Sequence, residues 1–569
     1  MINDCINKYN FWIKYATDED VLASLKQMGG NEKEIEDAFY RDLEFGTAGL
    51  RGIMGAGTNR MNIYTIIQTA RAMGEYLNSV SENVGGCNSE KKIVITYDSR
   101  INSLKFAQIT ACVFADLGIK AYITKGCKPT PYLSFMVREL KCDMGVNVTC
   151  SHNPKEYNGF KVYENQGCQI GEDIANAILN IKDKINPFEI KVGNFDDYLN
   201  SGKIEYVDLA SEDKYLQMVL NESLCIEEND AKNSNLKVVY TALNGVGESF
   251  VTRILNRIGF DDIIYVKEQI QPNGYFETCP YPNPEKIEAL KLALEYARNN
   301  DADLIIATDP DSDRMGAVVK DNKTQEYVHL SGNEVGFLLC DYILRTRKEQ
   351  GTLKFEPIVI RSIVTNPLVD EIVKAYGGKV IECLTGFKNI GGEIRKLELK
   401  GEDNKIAFSY EESCGYLKGT FERDKDGVSA CMLICELARK LKKDNKTLID
   451  RLNEIKQTYG AYLSKTISIR FEGASGEKVK NQILANLHTL PPKQLGGQKV
   501  VKVIDFLTQK ILDIPQADVI KLILNEDDEV LIRPSGTEPL IKCYITIKNG
   551  EREEKLNKIL EDINKILSI

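Results

Sequence analysis

Histidine is scarce in this chain of 569 residues: His152, His329 and His488 are the only three, and they lie far apart. There is no C-x-x-C pair either, so no Cys/His cluster is present to hold zinc. No apolar run approaches the roughly 20 residues that a membrane-spanning helix needs. The start, Met1-Ile2-Asn3-Asp4-Cys5, lacks the basic and apolar regions of a secretion signal. Without such a signal, the fifteen scattered cysteines read as reduced thiols filling cores in the cytoplasm. Positive charge is in deficit: 73 Lys and Arg against 83 Asp and Glu leave a formal charge of -10. That balance argues against nucleic acid or an anionic membrane as the main partner. A small anionic substrate remains compatible, because a local Arg/Lys cluster can bind phosphate on an acidic protein. What is present, 43% hydrophobic and 27% charged residues, suits a soluble globular protein of about three to five domains. Nothing in the sequence speaks to oligomeric state.

One unit recurs three times. Ile93-Val94-Ile95-Thr96-Tyr97 predicts a strand, Phe106, Ile109, Val113 and Leu117 a helix face ending at Gly118, and Ala121-Tyr122-Ile123 a second strand. A helix follows Thr130-Pro131, and the apolar run Met144 to Thr149 is the last strand. The pattern returns with strands at Leu236 to Leu243, Ile263 to Val266 and Asp303 to Thr308, a helix from Gly247 to Ile258, and another from Pro284 to about Arg298. A third pass has strands at Ile358 to Ile360, Lys379 to Ile381 and Ile406 to Phe408, with helices near 368–376 and 390–397. Alternating strands and helices imply parallel sheets covered on both faces. The recurrence is domain-sized rather than a solenoid period.

The segment from about Asp424 to Tyr462 reads as helical and as a link. Beyond it, Val500 to Phe506, Val519 to Leu524, Glu529 to Arg533 and Ile541 to Ile547 are short strands mostly without helices between them. The expected architecture is therefore α/β: three similar doubly wound, mixed or parallel domains plus a smaller C-terminal α+β domain around one central cleft. The expected boundaries are 1–205, 206–330, 331–455 and 456–569.

The last strand of each unit runs into a polar loop. The first is Thr149-Cys150-Ser151-His152-Asn153-Pro154. A serine just past a central strand lies where open α/β sheets place ligands, and an exposed hydroxyl there can carry a transferred group. Ser, Asn and Pro are also ordinary turn residues, so geometry alone could explain the loop. The second is Asp309-Pro310-Asp311-Ser312-Asp313-Arg314. Carboxylates on alternate residues of an extended loop point the same way and can meet on one hard cation, with Mg2+ favoured beside a phosphate. A solvated acidic turn is the plainer alternative, although clustered carboxylates repel unless something neutralises them. The third is Glu411-Glu412-Ser413, suited to sugar hydroxyls. In the last domain, Arg533-Pro534-Ser535-Gly536-Thr537-Glu538-Pro539 supplies a guanidinium, hydroxyls and approachable backbone for an anion, or else a plain turn. Gly46-Thr47-Ala48-Gly49-Leu50-Arg51-Gly52 matches neither a dinucleotide-binding nor a P-loop pattern. Together these are the parts for moving a phosphoryl group on or off a sugar, a reaction that is largely positioning and charge neutralisation.

At these residues the chain resembles the α-D-phosphohexomutase superfamily, most closely its phosphoglucomutase branch. The serine, aspartate, glutamate and arginine motifs match in the family's order, and the likeness extends over nearly the whole chain from about Asp42. The resemblance implies a phosphoserine at Ser151 and Mg2+ held by Asp309, Asp311, Asp313 and a phosphoryl oxygen on Ser151. It implies sugar contacts from Glu411 and Ser413, and a clamp on the non-reacting phosphate from Arg533, Ser535, Gly536 and Thr537. Lys161 and Lys388 match lysines near the reacting groups, Arg51 and Arg314 match cleft arginines, and Arg423 is placed near them. Thr385 and Gly386, in Thr385-Gly386-Phe387-Lys388, are carried with the substrate-binding set. His152 is counted with the catalytic residues but not as a triad base, being adjacent to Ser151 and outside any G-x-S-x-G. Two departures stand out. Cys150 replaces a more usual Ala, a harmless exchange of small residues. Thr241-Ala242-Leu243-Asn244-Gly245 stands where Pro-Leu-His-Gly is common, leaving Asn244 in place of a His.

The expected function is interconversion of glucose 1-phosphate and glucose 6-phosphate through phosphorylated Ser151, with glucose 1,6-bisphosphate as intermediate and activator. Mannose or pentose phosphates, or synthesis of the bisphosphate itself, would use the same chemistry. A metal-dependent phosphatase would pass the phosphoryl group to water instead. A non-catalytic sugar-phosphate sensor would need no nucleophile.

Overall fold

Three sheets of this protein share one four-stranded core. The computed structural model describes residues 2–47, 49–83, 90–225, 235–471, 473–509, 514–525, 528–535, 540–548 and 550–567. Domain I contains β1 (Phe45–Gly46), β2 (Gly49–Ile53), β3 (Lys92–Tyr97), β4 (Lys120–Ile123), β5 (Met144–Val148), β6 (Tyr157–Glu164) and β7 (Ile204–Tyr206), in the order β1-β2-β6-β5-β3-β4-β7. Domain II contains β8 (Val238–Thr241), β9 (Ile263–Tyr265), β10 (Leu304–Thr308), β11 (Met315–Lys320) and β12 (Tyr327–Leu330), ordered β12-β11-β10-β8-β9. Domain III contains β13 (Ile358–Ser362), β14 (Lys379–Cys383), β15 (Ile406–Glu411) and β16 (Gly415–Leu417), ordered β14-β13-β15-β16. The common core is thus β6-β5-β3-β4, β11-β10-β8-β9 and β16-β15-β13-β14.

In each core the pairings among the first three strands are parallel, and the last strand folds back antiparallel. Wholly parallel units are therefore not what forms: each sheet is mixed. The serine, aspartate and glutamate motifs are the hairpin turns β5–β6, β10–β11 and β15–β16. The strands that lead into them are central and almost entirely buried. Leu304, Ile305 and Ile306 are each at most 1% exposed. Each such side chain contributes about 1.5–3 kcal/mol by leaving water. That burial fixes where the polar turn begins.

Domain IV has β17 (Leu463–Arg470), β18 (Gln494–Leu495), β19 (Gln498–Asp505), β20 (Ile520–Leu524), β21 (Glu529–Pro534) and β22 (Leu540–Ile547), ordered β17-β22-β21-β20-β19-β18 and antiparallel throughout. Arg533 and Pro534 end β21, which pairs antiparallel with β22. Sequence reading misses β17, whose apolar residues are too few to mark it. It also misses three N-terminal helices, Ile2–Tyr15, Glu19–Met28 and Glu32–Phe39, which pack around the lone Trp12 and onto Tyr64 and Phe188.

Two helix expectations need correction. The helix placed from Pro284 starts later, as a 3-10 turn Ile287–Leu290 continued by Lys291–Asn300. Asn283 accepts from the Glu285 amide through its side chain at 3.1 Å, which holds Pro284 and Glu285 outside the helix. The segment after Asp424 is not merely a linker. Its first helix, Gly427–Lys443, is buried on nearly every side and belongs to one apolar core running from Tyr132 and Met136 through Phe250 and Ile254 to Phe408. Domains I to III thus share a core. Domain IV keeps its own and meets domain III through Ile363 and Val364 packed on Phe506, Val519, Leu531 and Tyr544. No helix among the described residues is long and apolar enough to cross a membrane, and no described cysteine is disulfide-bonded.

Candidate active site

The serine turn is held from within. Ser151 is 3% exposed and sits at φ 50°, in the left-handed region that costs a side-chain-bearing residue about 1–2 kcal/mol. Arg100 offsets that strain. Its buried guanidinium donates to the carbonyls of Ser151, Asn153, Pro154 and Tyr157, the latter two at 2.8 and 3.1 Å. Asp98, 3.2 Å from Arg100 Nε, also accepts from Thr149 Oγ1 at 2.6 Å and Ser103 Oγ at 2.8 Å. Thr149 Oγ1 in turn accepts from the Ser151 amide at 2.9 Å. The Ser151 hydroxyl then points at the aspartate turn, donating to Asp309 Oδ2 at 2.7 Å. His152 Nδ1 lies 3.2 Å from the same hydroxyl oxygen. Burial, with Arg314 and Arg51 beside it, holds the His152 ring well below the usual histidine range and therefore neutral. Arg51, on β2, donates to Asn153 Oδ1 at 3.0 Å.

Asp309, Asp311 and Asp313 are fully buried, with one oxygen of each within 4.8 Å of the others. Lys161, reaching across from β6, donates to Asp311 Oδ2 at 2.6 Å and Asp313 Oδ2 at 2.8 Å. Lys425 adds a second donor to Asp313 Oδ2 at 2.9 Å, and Thr130 one to Asp311 Oδ2 at 2.6 Å. Burial pushes all three carboxyls up. Lys161 outweighs it for Asp311, as Lys161 and Lys425 do for Asp313, and both stay below the usual carboxylate range. Asp309 has no lysine on it; burial and its two neighbours leave it raised. Asp311 Oδ1 and Asp313 Oδ1 are buried without a hydrogen-bond partner. Unsatisfied hard oxygens converging beside an uncompensated carboxylate fit a small divalent cation. The solvated acidic turn is ruled out by burial.

The sugar turn lies beside this group. Burial and Glu412 raise the Glu411 carboxyl to about 7, against the opposing pull of Lys425, the Gly386 amide and Arg314. Glu411 Oε1 accepts from the Gly386 amide at 2.5 Å. Gly386 has φ 105°, open only to glycine, and this turns its N–H toward the carboxylate. Ser413 donates to Glu412 at 3.2 Å. Thr385 is half-buried beside Gly386. Lys388 crosses to domain I and donates to Thr47 Oγ1 at 2.6 Å.

Among the described residues Arg533 reaches only its own domain, donating to Tyr544 OH and Pro534 O at 3.1 Å each, and its Nε is buried without a partner. Lys542, its cross-strand neighbour on β22, is lowered by burial and Arg533 while Glu285, Glu412 and Arg314 act on it from domains II and III. Lys542 is thus within electrostatic reach of the charged groups of the aspartate and glutamate turns. The Ser535 amide closes the turn on Leu540 O at 2.8 Å, whereas Gly536 and Thr537 lie outside the described residues.

Arg423 is the exception. Its side chain is wholly buried, 2.8 Å from Glu398, and its amide donates to Ser134 Oγ at 2.8 Å. It ties domain III to domain I and does not open into the cleft. Sequence reasoning also misses Arg100 and Lys425, of which the Asp98-Ser99-Arg100 strand end is the one local hint.

Comparison with known proteins agrees with this geometry. Descriptions of phosphoglucomutase/phosphomannomutase alpha/beta/alpha domains I, II and III match residues 42–188, 213–323 and 331–459, and that of the C-terminal domain matches 493–564. A phosphoglucomutase of Staphylococcus haemolyticus is 36% identical over 95% of this chain and 97% of its own. The chain belongs to the phosphoglucomutase/phosphomannomutase family. A Staphylococcus aureus phosphoglucomutase is 34% identical over 96% of this chain and 97% of its own. The crystal structure of a phosphoglucomutase/phosphomannomutase family protein from Burkholderia thailandensis superimposes with a TM-score of 0.66 at 18% identity, covering 92% of this chain and 97% of its own, a likeness of fold. Asn244, set apart above as a departure from the family's pattern, lies in the loop after β8. It takes φ 58° and donates through its side chain to the carbonyls of Glu268 and Gln271 at 3.0 and 3.1 Å. Asn tolerates this conformation well, so here the position shapes a loop.

Proposed function

We propose that this protein is a phosphoglucomutase that interconverts glucose 1-phosphate and glucose 6-phosphate. The observation that carries the reading is the Ser151 hydroxyl, 2.7 Å from Asp309 in a cluster of three buried carboxylates. Asp309, Asp311 and Asp313 would hold Mg2+, which supplies charge neutralisation at the transferring phosphoryl group. Phosphorylated Ser151 donates its phosphoryl group to the free hydroxyl of the sugar monophosphate: the serine O–P bond breaks and a sugar O–P bond forms. The resulting bisphosphate turns over, and its other phosphate returns to Ser151. Lys161 and Arg314 keep positive charge beside the reacting group, and Arg51 holds Asn153 in the serine turn. Glu411 accepts from sugar hydroxyls with Ser413 and Thr385 nearby, while Arg533, Ser535 and the turn after it grip the phosphate that is not reacting. Lys388 closes the domain I–III side of the cleft. Glucose 1,6-bisphosphate loads the serine. Free thiols at every described cysteine support a cytoplasmic enzyme, acting on small sugar phosphates.

The test is a coupled assay of glucose, mannose, glucosamine and ribose 1-phosphates, with and without glucose 1,6-bisphosphate. Glucose 1-phosphate should be converted fastest, and bisphosphate should stimulate it. Release of inorganic phosphate instead of sugar 6-phosphate would make the protein a phosphatase. Preference for another sugar would move the substrate while keeping the chemistry.

A further inference from the structure

Arg314 is fixed through its backbone, with the amide donating to Asp309 Oδ1 at 3.0 Å, yet among the described residues its guanidinium has carboxylates near it and none at hydrogen-bonding distance. Asp313 Oδ1 is 3.9 Å from Nε and Glu285 Oε2 is 3.6 Å from Nη1, both too long for hydrogen bonds. Nε is buried and unpartnered.

Glu285 is held as firmly as Arg314. Asn283 is buried and accepts from the Glu285 amide, and His329 Nε2 lies 3.2 Å from Pro284 O. A Cβ on Gly316 would come within 2.5 Å of Pro284 O, so only glycine in β11 allows this approach. The carboxylate itself is 38% exposed, at the cleft mouth. It faces Arg314 at 3.6 Å, and its charge also favours the protonated form of Lys542 in domain IV. A carboxylate here opposes a phosphate dianion. It neutralises Arg314 by charge without taking up the directional donors a phosphate would use.

We infer that Glu285 tempers the phosphate grip around Arg314: beside Asp313 it is a second counter-charge on that guanidinium, the one exposed enough to be displaced, and it competes with the substrate's phosphate for that arginine. The inference rests on the mutase reading and adds a reason for the residue. A bisphosphate must let go of its phosphate sites in order to turn. A cleft with Arg314, Arg533 and Lys542 unopposed would hold it too tightly, since binding ground state and transition state alike does not raise turnover. Glu285 is a specificity-setting residue of the grip, with no bond made or broken at it.

The experiment compares wild type, Glu285→Gln and Glu285→Asp. Titration of inorganic phosphate by calorimetry should show about tenfold tighter binding for Glu285→Gln, because a like charge beside the anion has been removed. Glu285→Asp, which keeps the charge, should stay near wild type. With glucose 1-phosphate, Glu285→Gln should lower KM and kcat together and retain more bisphosphate on the enzyme. Phosphate binding that is unchanged or weaker in Glu285→Gln overturns the inference, and weaker sugar-phosphate binding would make Glu285 a direct substrate contact instead. Wild type that binds phosphate but turns over no sugar phosphate would overturn the mutase reading alone, leaving the phosphate comparison to decide Glu285.

Discussion

Ser151 and Arg533 are held in opposite ways. Around Ser151 almost every polar group is committed: Arg100 gathers four carbonyls, Asp98 holds Arg100, and the hydroxyl is aimed at Asp309. Among the described residues the Arg533 guanidinium touches only its own strand pair and keeps a buried Nε unused. Ser151 sits among three domains with a common core, Arg533 in a domain that keeps its own core and meets domain III through an apolar contact and the hydrogen bond from Asn366 to Ser464. On the proposed reading, the reacting group is preorganised by the protein's own bonds, whereas Arg533 keeps donor capacity for a phosphate.

The sharpest way to break this comparison is at the serine. Ser151→Ala should abolish mutase turnover, because one hydroxyl carries the covalent step, and leave the fold intact. Intact-mass analysis should find one phosphate on wild type, at least in part, and none on the variant. Normal turnover by Ser151→Ala would end the proposed mechanism.

Asp311→Asn comes next. It removes one hard-oxygen ligand and one partner of Lys161, so kcat should fall at least about 100-fold and the Mg2+ requirement should rise. EDTA should silence wild type and Mg2+ restore it. Full activity in a metal-free preparation would mean that the aspartate turn binds no catalytic ion.

Arg533→Ala probes the other half of the comparison. Binding of either monophosphate should weaken by about 2–4 kcal/mol, the scale for losing a buried charged contact, and more free bisphosphate should escape. Melting should be nearly unchanged, since the hydrogen bonds of Arg533 among the described residues stay within domain IV. Unaltered kinetics would show that domain IV does not contribute to the site.

The smallest effect belongs to Glu411. Glu411→Gln should cost about 1.5–3 kcal/mol in sugar binding, the range for hydrogen bonds to a charged group. Because the carboxyl is raised to about 7, it is largely protonated below that pH and largely ionised above it. Affinity for glucose 1-phosphate should therefore rise as pH increases through about 7, once the substrate's own titration is accounted for. In Glu411→Gln that step should vanish, and a persistent step would assign it elsewhere.

Much of the fold and of the site is legible in the chain itself. Strands β5, β10 and β15 announce themselves because burial on both faces demands unbroken apolar runs, and the polar motifs follow them directly. Serine, three aspartates and the Arg533 turn are recognisable because their chemistry is written in adjacent residues. The helix start at Pro284 is misread because proline fits a first helical turn equally well, while the competing Asn283 bond and the approach to Gly316 are tertiary.

By itself, then, the sequence determined the three apolar strands that recur in each unit, most of the helices between them, the four motifs and the family to which they belong, but not the strand that folds back antiparallel in each core. Those features depend on local periodicity and local chemistry. Only the tertiary structure decided which charges meet. That Lys161 and Lys425 neutralise Asp311 and Asp313, that Arg100 rather than a neighbouring residue holds Ser151, that Arg423 is sealed against Glu398, and that Glu285 faces Arg314 all depend on how separate sheets pack. A buried charge is tolerable only beside its partner, and the partner is chosen by packing across domains, which leaves no periodic mark on the chain.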